Sequence, residues 1–321
     1  MIHTGFPSAG PTLGEVGEGD VIKAIVAAAP STVNGDDAAV LTRSAPNSRV
    51  VAATDMLVAG RHFSPETTTP FHVGQKAVVQ NFADIEAMGA TPVAALLAVS
   101  APPSTPLSVV EELARGVGTM AEAWSSELVG GDVTSGDELV ISLAAIGSLG
   151  GNLDALTLSR ARPGQRVVAH GRIGYSAAGL ALLKSGKEIP PSLEPLVNAH
   201  QVPEITPGRG VVARAAGATA MTDNSDGLVR DLTTMASCSG VGIDLSSVAI
   251  APDALLVAAG ELLGTDPWEW VLTGGEDHTL IGTCDGLAPV GFRSIGKVVK
   301  GAQVLVDATP PTHTAGWESF A

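Results

Sequence analysis

The stretch 221–232, "MTDNSDGLVRDL", places Asp223 and Asp226 on either side of Ser225 and adds Asp231 a turn and a half later. It reads as the start of a helix. One carboxylate at such a place caps free backbone N–H groups and suits the positive end of the helix dipole. Two or three within a few ångströms repel one another unless a cation lies between them. Whether that cation is a metal ion depends on what else the chain brings.

Further Asp-bearing turns recur along the chain. "NGDDAAV" holds Asp36 and Asp37, "AATDMLVAGRHF" holds Thr54, Asp55 and His62, and "NFADIEAMGA" holds Asn81 and Asp84. "LVGGDVTSGD" contributes Gly131 and Asp132, and "TGGEDH" contributes Glu276 and Asp277. Most of these acids stand at the end of a β-like run or beside glycine, so Asp37, Asp55 and Asp132 each read as a strand end; Asp84 instead falls within a helical segment. An Asp beside Gly is ordinarily a turn former or a cap. Magnesium, however, takes hard oxygen ligands, a few carboxylates completed by water and phosphate, and strand-end acids suit that need.

The bulk numbers bound the alternatives. With 321 residues, 45% hydrophobic and 16% charged, the chain suits two domains with sizeable cores and is not disordered. A net charge of −15 argues against nucleic acid or an anionic membrane as partner. Cys238 and Cys284 are the only cysteines and form no CxxC pair, which suits a reducing compartment. The N-terminal "MIHTGFPSAGPTLGE" lacks the pattern of a signal peptide, and no apolar run approaches a membrane span. The expectation is a soluble cytoplasmic protein.

The first half alternates strands and helices. Residues 19–29 predict a short helix, "DAAVLT" and "RVVAATD" strands, 71–90 a helix, "VAALLAVSA" a buried strand and 107–124 a second helix. A strand pair follows. Turn-rich composition at 147–154 marks a domain boundary, giving domains 1–147 and 148–321. The second half repeats the layout with strand "RVVAHG" and helix "YSAAGLALLKSG", then a Pro-rich connector, the Asp-rich helix start and β-rich segments to the end. "GFRSIGKV" fits a P-loop pattern but has Val298 where a metal-binding hydroxyl belongs, and "GRGVVA" and "GVGTMA" open no clear dinucleotide unit. Composition and spacing reach a two-domain α/β protein, metal-dependent or not, and name no reaction.

The ordered blocks do more. "GDDAAV", "TDMLVAGRHF", "NFADIEAMGATP", "LVGGDVTSG", "GYSAAGLALL", "TDNSDGLVRDL", "GGEDHTL" and "GWESF" together resemble the thiamine-monophosphate kinase family of the aminoimidazole-ribonucleotide-synthetase-like superfamily. The resemblance implies an α/β (α+β) fold with an N-terminal mixed sheet and helices, bearing ATP, metals and the dimer contact, and a C-terminal α/β domain completing the site. It implies a homodimer, ATP and several Mg2+ ions in the cleft between domains, and γ-phosphoryl transfer to thiamine monophosphate by direct in-line attack. By motif position, Asp36, Asp37, Thr54, Asp55, Asp84, Asp132, Asp223 and Asp226 are the implied magnesium ligands, with Asp55, Asp84 and Asp223 the most critical. Gly131, Asp132, Arg160 and Ser225 are implied at the nucleotide, and His62, Glu276 and Trp317 at the thiamine. No general base is implied, since the attacking phosphate is already ionised.

Four positions depart from the family pattern. Ala53 stands where Ser or Thr is usual, His278 where Tyr is usual, and Asn224 where an apolar residue is usual. Leu158 occupies the usual place of a nucleotide-binding Arg, leaving Arg160 as the nearby candidate. The rival readings are another ATP-dependent member of the superfamily and a non-catalytic nucleotide- or metal-binding relative. The missing N-terminal reactive Cys and C-terminal carrier Cys weigh against two of the superfamily alternatives.

Overall fold

The computed structural model describes residues 2, 4–32, 39, 41 and 47–317. Asp36, Asp37, most of the expected strand "DAAVLT" and the final "ESFA" lie outside the described residues. The chain divides into two compact units, Met1–Ile85 with Pro92–Gly151, and Glu86–Thr91 with Asn152–Ala321.

The first unit runs α1 (Leu13–Val16), α2 (Glu18–Ala28), β1 (Arg49–Val58), α3 (Pro70–Ala87), β2 (Thr91–Ala101), α4 (Leu107–Ala123), β3 (Glu127–Ser135) and β4 (Val140–Leu149). Its sheet has the order β1-β4-β2-β3, with β1 antiparallel to β4 and β2 parallel to β3. The period-2 pattern is clear on β4, where Ile141, Leu143, Ala145 and Leu149 are buried and their neighbours half-buried. The other face is open. Val50 and Met56 on β1 are 79% and 53% exposed, and Leu96 on β2 is 37% exposed.

Helices α3 and α4 cross at near backbone contact. A Cβ on Gly74 would lie 2.1 Å from the Leu113 carbonyl oxygen, and one on Gly116 would lie 2.0 Å from that of Phe71. Below this crossing, fully buried Phe82 meets the edge of Trp124 with ring centroids 5.5 Å apart.

The second unit contains β5 (Arg166–His170), α5 (Tyr175–Lys184), α6 (Glu194–Gln201), α7 (Arg209–Ala215), β6 (Ala218–Asp223), α8 (Leu228–Ser239) and β7 (Gly242–Leu245). It continues through α9 (Ser247–Ile250), α10 (Ala254–Leu263), α11 (Pro267–Thr273), β8 (Leu280–Cys284), β9 (Arg293–Val299) and β10 (Val304–Val306). The part expected to be β-rich is therefore helical over much of 247–273, where Asp253 and Asp266 cap helices through their side chains. The six strands form one sheet in the order β10-β7-β9-β5-β8-β6. Val168, Met221, Leu280 and Cys284 join Ala87, Leu156, Ala213 and Phe292 in one core cluster. Helix α8 buries Leu228, Leu232 and Met235, the stripe legible in "LVRDLTTM".

The three decoy patterns resolve as ordinary structure. "GFRSIGKV" is mostly strand β9, "GRGVVA" leads into α7, and "GVGTMA" lies inside α4. No helix among the described residues is long and apolar enough to cross a membrane.

The crossing of α3 and α4 sets a sharp test. Gly116→Ala forces a methyl group into the Phe71 carbonyl, so it destabilises the fold by about 1–3 kcal/mol, read as a lower urea midpoint at unchanged m-value.

Candidate active site

Strand pairing decides where the acids stand. Asp55 does not end its strand: β1 pairs with β4 from Arg49 through Val58, with Asp55 opposite Leu143. Asp132 is likewise inside β3, opposite Ala98, and the pairing continues to Ser135. The ladder overrides the turn tendency that Asp and its neighbouring glycines suggest. Asp132 is exposed on the edge strand of its sheet, and Asp55 and Asp84 are half-buried. The Thr54 hydroxyl donates to the Leu143 carbonyl at 3.1 Å, which leaves its oxygen lone pairs able to accept or to ligate. His62 lies in the turn after β1, where Nδ1 accepts the Val58 N–H at 3.1 Å. Gly131 has a packing reason to be glycine, because a Cβ there would lie 1.8 Å from the Leu97 carbonyl oxygen.

In the second unit, β6 and β8 pair antiparallel with Asp223 opposite Leu280. The exit of β6 therefore runs beside the loop that enters β8. Asp223 is a strand end, not the helix start that the sequence suggests, and α8 begins only after Gly227. Three backbone bonds zip the two segments: Asn224 N–H to Thr279 O (2.9 Å), His278 N–H to Asn224 O (3.0 Å) and Glu276 N–H to Ser225 O (2.8 Å). Close approach demands glycine here, since a Cβ on Gly275 would lie 2.3 Å from the Ser225 carbonyl oxygen.

Each of the crowded carboxylates has a partner within the protein. His278 Nδ1 lies 2.8 Å from Asp223 Oδ2, with both side chains buried. Asp226 lies 3.7 Å from the Arg230 guanidinium. Asp231 accepts the N–H groups of Asp226 and Gly227 at 3.1 and 3.2 Å. Its carboxyl is nonetheless raised to about 7, first by burial and then by the charges of Asp223 and Asp226. Burial is the larger cause, and the neighbouring carboxylates add to it. The donor set fits magnesium, being hard oxygens throughout. Among the described residues, no three His, Cys, Asp or Glu side chains form a complete metal cluster by themselves.

Glu276 Oε2 is 3.6 Å from His200 Nδ1, which is itself 3.1 Å from the Ser176 hydroxyl. Trp317 is 45% exposed, and its backbone N–H donates to the Asp226 backbone carbonyl at 3.0 Å, which brings the tail to the Asp226 turn. Arg160 is exposed on a short 3-10 turn and pairs with Asp154 at 2.9 Å.

Two further acids are buried outright, Glu86, which the acidic turns noted above leave out, and Asp277, which they include without a role. Glu86 is fully buried and accepts the Gly208 and Gly210 N–H groups at 2.6 and 2.5 Å; burial raises its carboxyl to about 7. Asp277 is buried, between half-buried Glu276 and buried His278, and accepts the Gly174 N–H at 2.6 Å and the Ser176 N–H at 2.8 Å, at the start of α5. Burial raises it to about 7 as well, against the lowering effect of those two N–H groups. Both lie within quoted motifs, but their burial has no signature in the sequence. Asp277 also lines a cavity of about 150 Å³ with Arg172, Tyr175, Asn198 and Glu204.

Comparison with known proteins gives the family. Residues 35–149 match the model for the N-terminal domain of AIR synthase related proteins. A thiamine-monophosphate kinase of Corynebacterium glutamicum is 61% identical over 316 residues, covering 97% of this chain and 96% of the relative. One from Mycobacterium tuberculosis is 45% identical over 317 residues, covering 97% of this chain and 93% of the relative. A solved structure of AaThiL complexed with AMPPCP and TMP superposes with a TM-score of 0.77 at 32% identity, covering 95% of this chain and 98% of that one.

The only tyrosine gives a pH test. Tyr175 donates its hydroxyl to Asp253, and burial first, then Asp253, raises it from the usual 10.0 to about 12. Above pH 10 the unfolded chain loses this proton before the folded one does, so stability falls as pH rises through 10 toward 12. Tyr175→Phe flattens that part of the urea-midpoint profile relative to wild type.

Proposed function

Because the chain belongs to the thiamine-monophosphate kinase family, we infer that it transfers the γ-phosphoryl group of ATP to thiamine monophosphate, releasing thiamine diphosphate and ADP. The observation that carries this is the 61% identity to a thiamine-monophosphate kinase across 97% of the chain. A phosphate oxygen of thiamine monophosphate forms the new bond to the γ-phosphorus. The bond from that phosphorus to the β,γ-bridging oxygen breaks, and ADP leaves with the electron pair. A phosphate monoester has a second pKa of about 6, so the attacking oxygen is largely ionised at neutral pH and needs no general base.

The protein's task is then positioning and charge neutralisation. Magnesium, when bound, screens the phosphates from one another and from the acidic chain. Ligands are proposed in each unit: Thr54, Asp55, Asp84 and Asp132 in the first, Asp223 and Asp226 in the second, with Asp36 and Asp37 added from the motif. The oxygen-only chemistry of this set and the raised Asp231 support the reading. Gly131, Asp132, Ser225 and Arg160 are proposed at the nucleotide, and His62, Glu276 and Trp317 at the thiamine, where the indole suits stacking on a cationic ring.

The finer reading extends to assembly and place. Domain 1–147 carries ATP, metals and the dimer contact, and 148–321 completes the site. The open sheet face with Val50, Met56 and Leu96 supports a homodimer formed there, since exposed apolar strands seek a partner. The enzyme is cytoplasmic, and neither nucleic acid nor membrane is a partner, as the net charge of −15 suggests.

Two measurements test this. With ATP, magnesium and thiamine monophosphate, chromatography shows thiamine diphosphate, and the product disappears with EDTA and falls by at least about a hundredfold in Asp55→Asn. No product while ATP still binds overturns the activity. Met56→Arg, placing a charge on the open face, shifts sedimentation from dimer to monomer; an unchanged dimer overturns that interface.

A further inference from the structure

Glu276 and His278 both hold positive φ, 62° and 52°, with Asp277 between them. Such a non-glycine residue is strained and persists only where surrounding structure over-determines it. The backbone ladder to 224–225 supplies part of that constraint. The remainder comes from Asp277. Its carboxylate points away from its neighbours into the protein, where it takes two N–H groups at the start of α5 and the Asn224 side-chain amide at 3.3 Å.

Asn224 strengthens the case. It is completely buried, and its Oδ1 has no hydrogen-bond partner among the described residues. A buried amide that satisfies only half of itself is costly, so its retained contact matters. That contact goes to Asp277.

We propose that Asp277, backed by Asn224, is the positioning residue that turns Glu276 toward the substrate by fastening the 275–278 loop to the start of α5. The proposal rests on the reading of Glu276 as a thiamine contact. Anchored at Asp277, residue 276 projects on one side toward His200, and residue 278 on the other toward Asp223. Loosening the anchor frees the strained residues to relax and moves the Glu276 carboxylate.

The test is a mutant cycle on the active holoenzyme with ATP and magnesium. Asp277→Asn keeps the shape but turns an acceptor into a donor facing backbone N–H groups. It raises the KM for thiamine monophosphate roughly tenfold or more, with the KM for ATP changed far less. In a Glu276→Ala background, the same substitution adds nothing to that KM, because its effect runs through the missing carboxylate. Multiplicative effects in the double variant, or a loss of active fraction with both KM values unchanged, overturn the proposal. If Asp277→Asn does not fold, Asn224→Leu carries the test through a smaller rise in the same KM that vanishes with Glu276→Ala; an unchanged KM is the overturning result. Should wild type make no thiamine diphosphate at all, the functional reading fails, which is distinguishable from additivity in a working enzyme.

Discussion

The short ladder between residues 224–225 and 276–279 is the constraint on which the candidate site of the second unit depends. It follows from sheet topology, because β6 and β8 are neighbours and Asp223 stands opposite Leu280. Pairing that continues past the strand ends delivers Ser225 to Glu276 and Asp223 to His278. Residues some fifty positions apart thereby become parts of one surface. The glycine at 275 is what allows so close an approach.

Electrostatics then explains the acidic character. A chain with net charge −15 handling polyphosphates looks contradictory until local partners are counted. Within the second unit, His278, Arg230 and backbone N–H groups answer Asp223, Asp226 and Asp231 in turn. Asp231 stays raised, by burial first and by its two acidic neighbours second. Under the proposed function, cations brought with the nucleotide would neutralise phosphate and carboxylate together, which fixed lysines would not. The crowding in "TDNSDGLVRD" is thus in part a structural matter of capping and pairing, and the proposed function assigns the rest to metal.

Much of the framework was legible. The helix over 107–124 and the strand within 91–101 carry apolar patterns that burial confirms, and the alternation of β4 is visible residue by residue. The strand-end placement of Asp55 and Asp132 was misread. Local composition favoured a turn at each, but neighbouring strands continue the hydrogen-bond ladder past both. The same competition moved Asp223 from a helix start to a strand end. Asp277 was visible as an acid beside Glu276, yet nothing in "GGEDH" distinguishes a carboxylate that faces inward from one that faces a ligand.

What the sequence determined by itself was the main strands and helices of the first unit and the family's ordered acidic blocks, because periodicity, turn chemistry and motif order are local properties of the chain. What only the tertiary structure decided was which acids are answered by which partners. Positive φ at Glu276 and His278, the His278–Asp223 contact and the burial of Asp277 on the start of α5 are all products of strands and helices meeting across long stretches of chain. The physical reason is that hydrogen-bond partnership and desolvation depend on distance in space, which residue order constrains only through the fold.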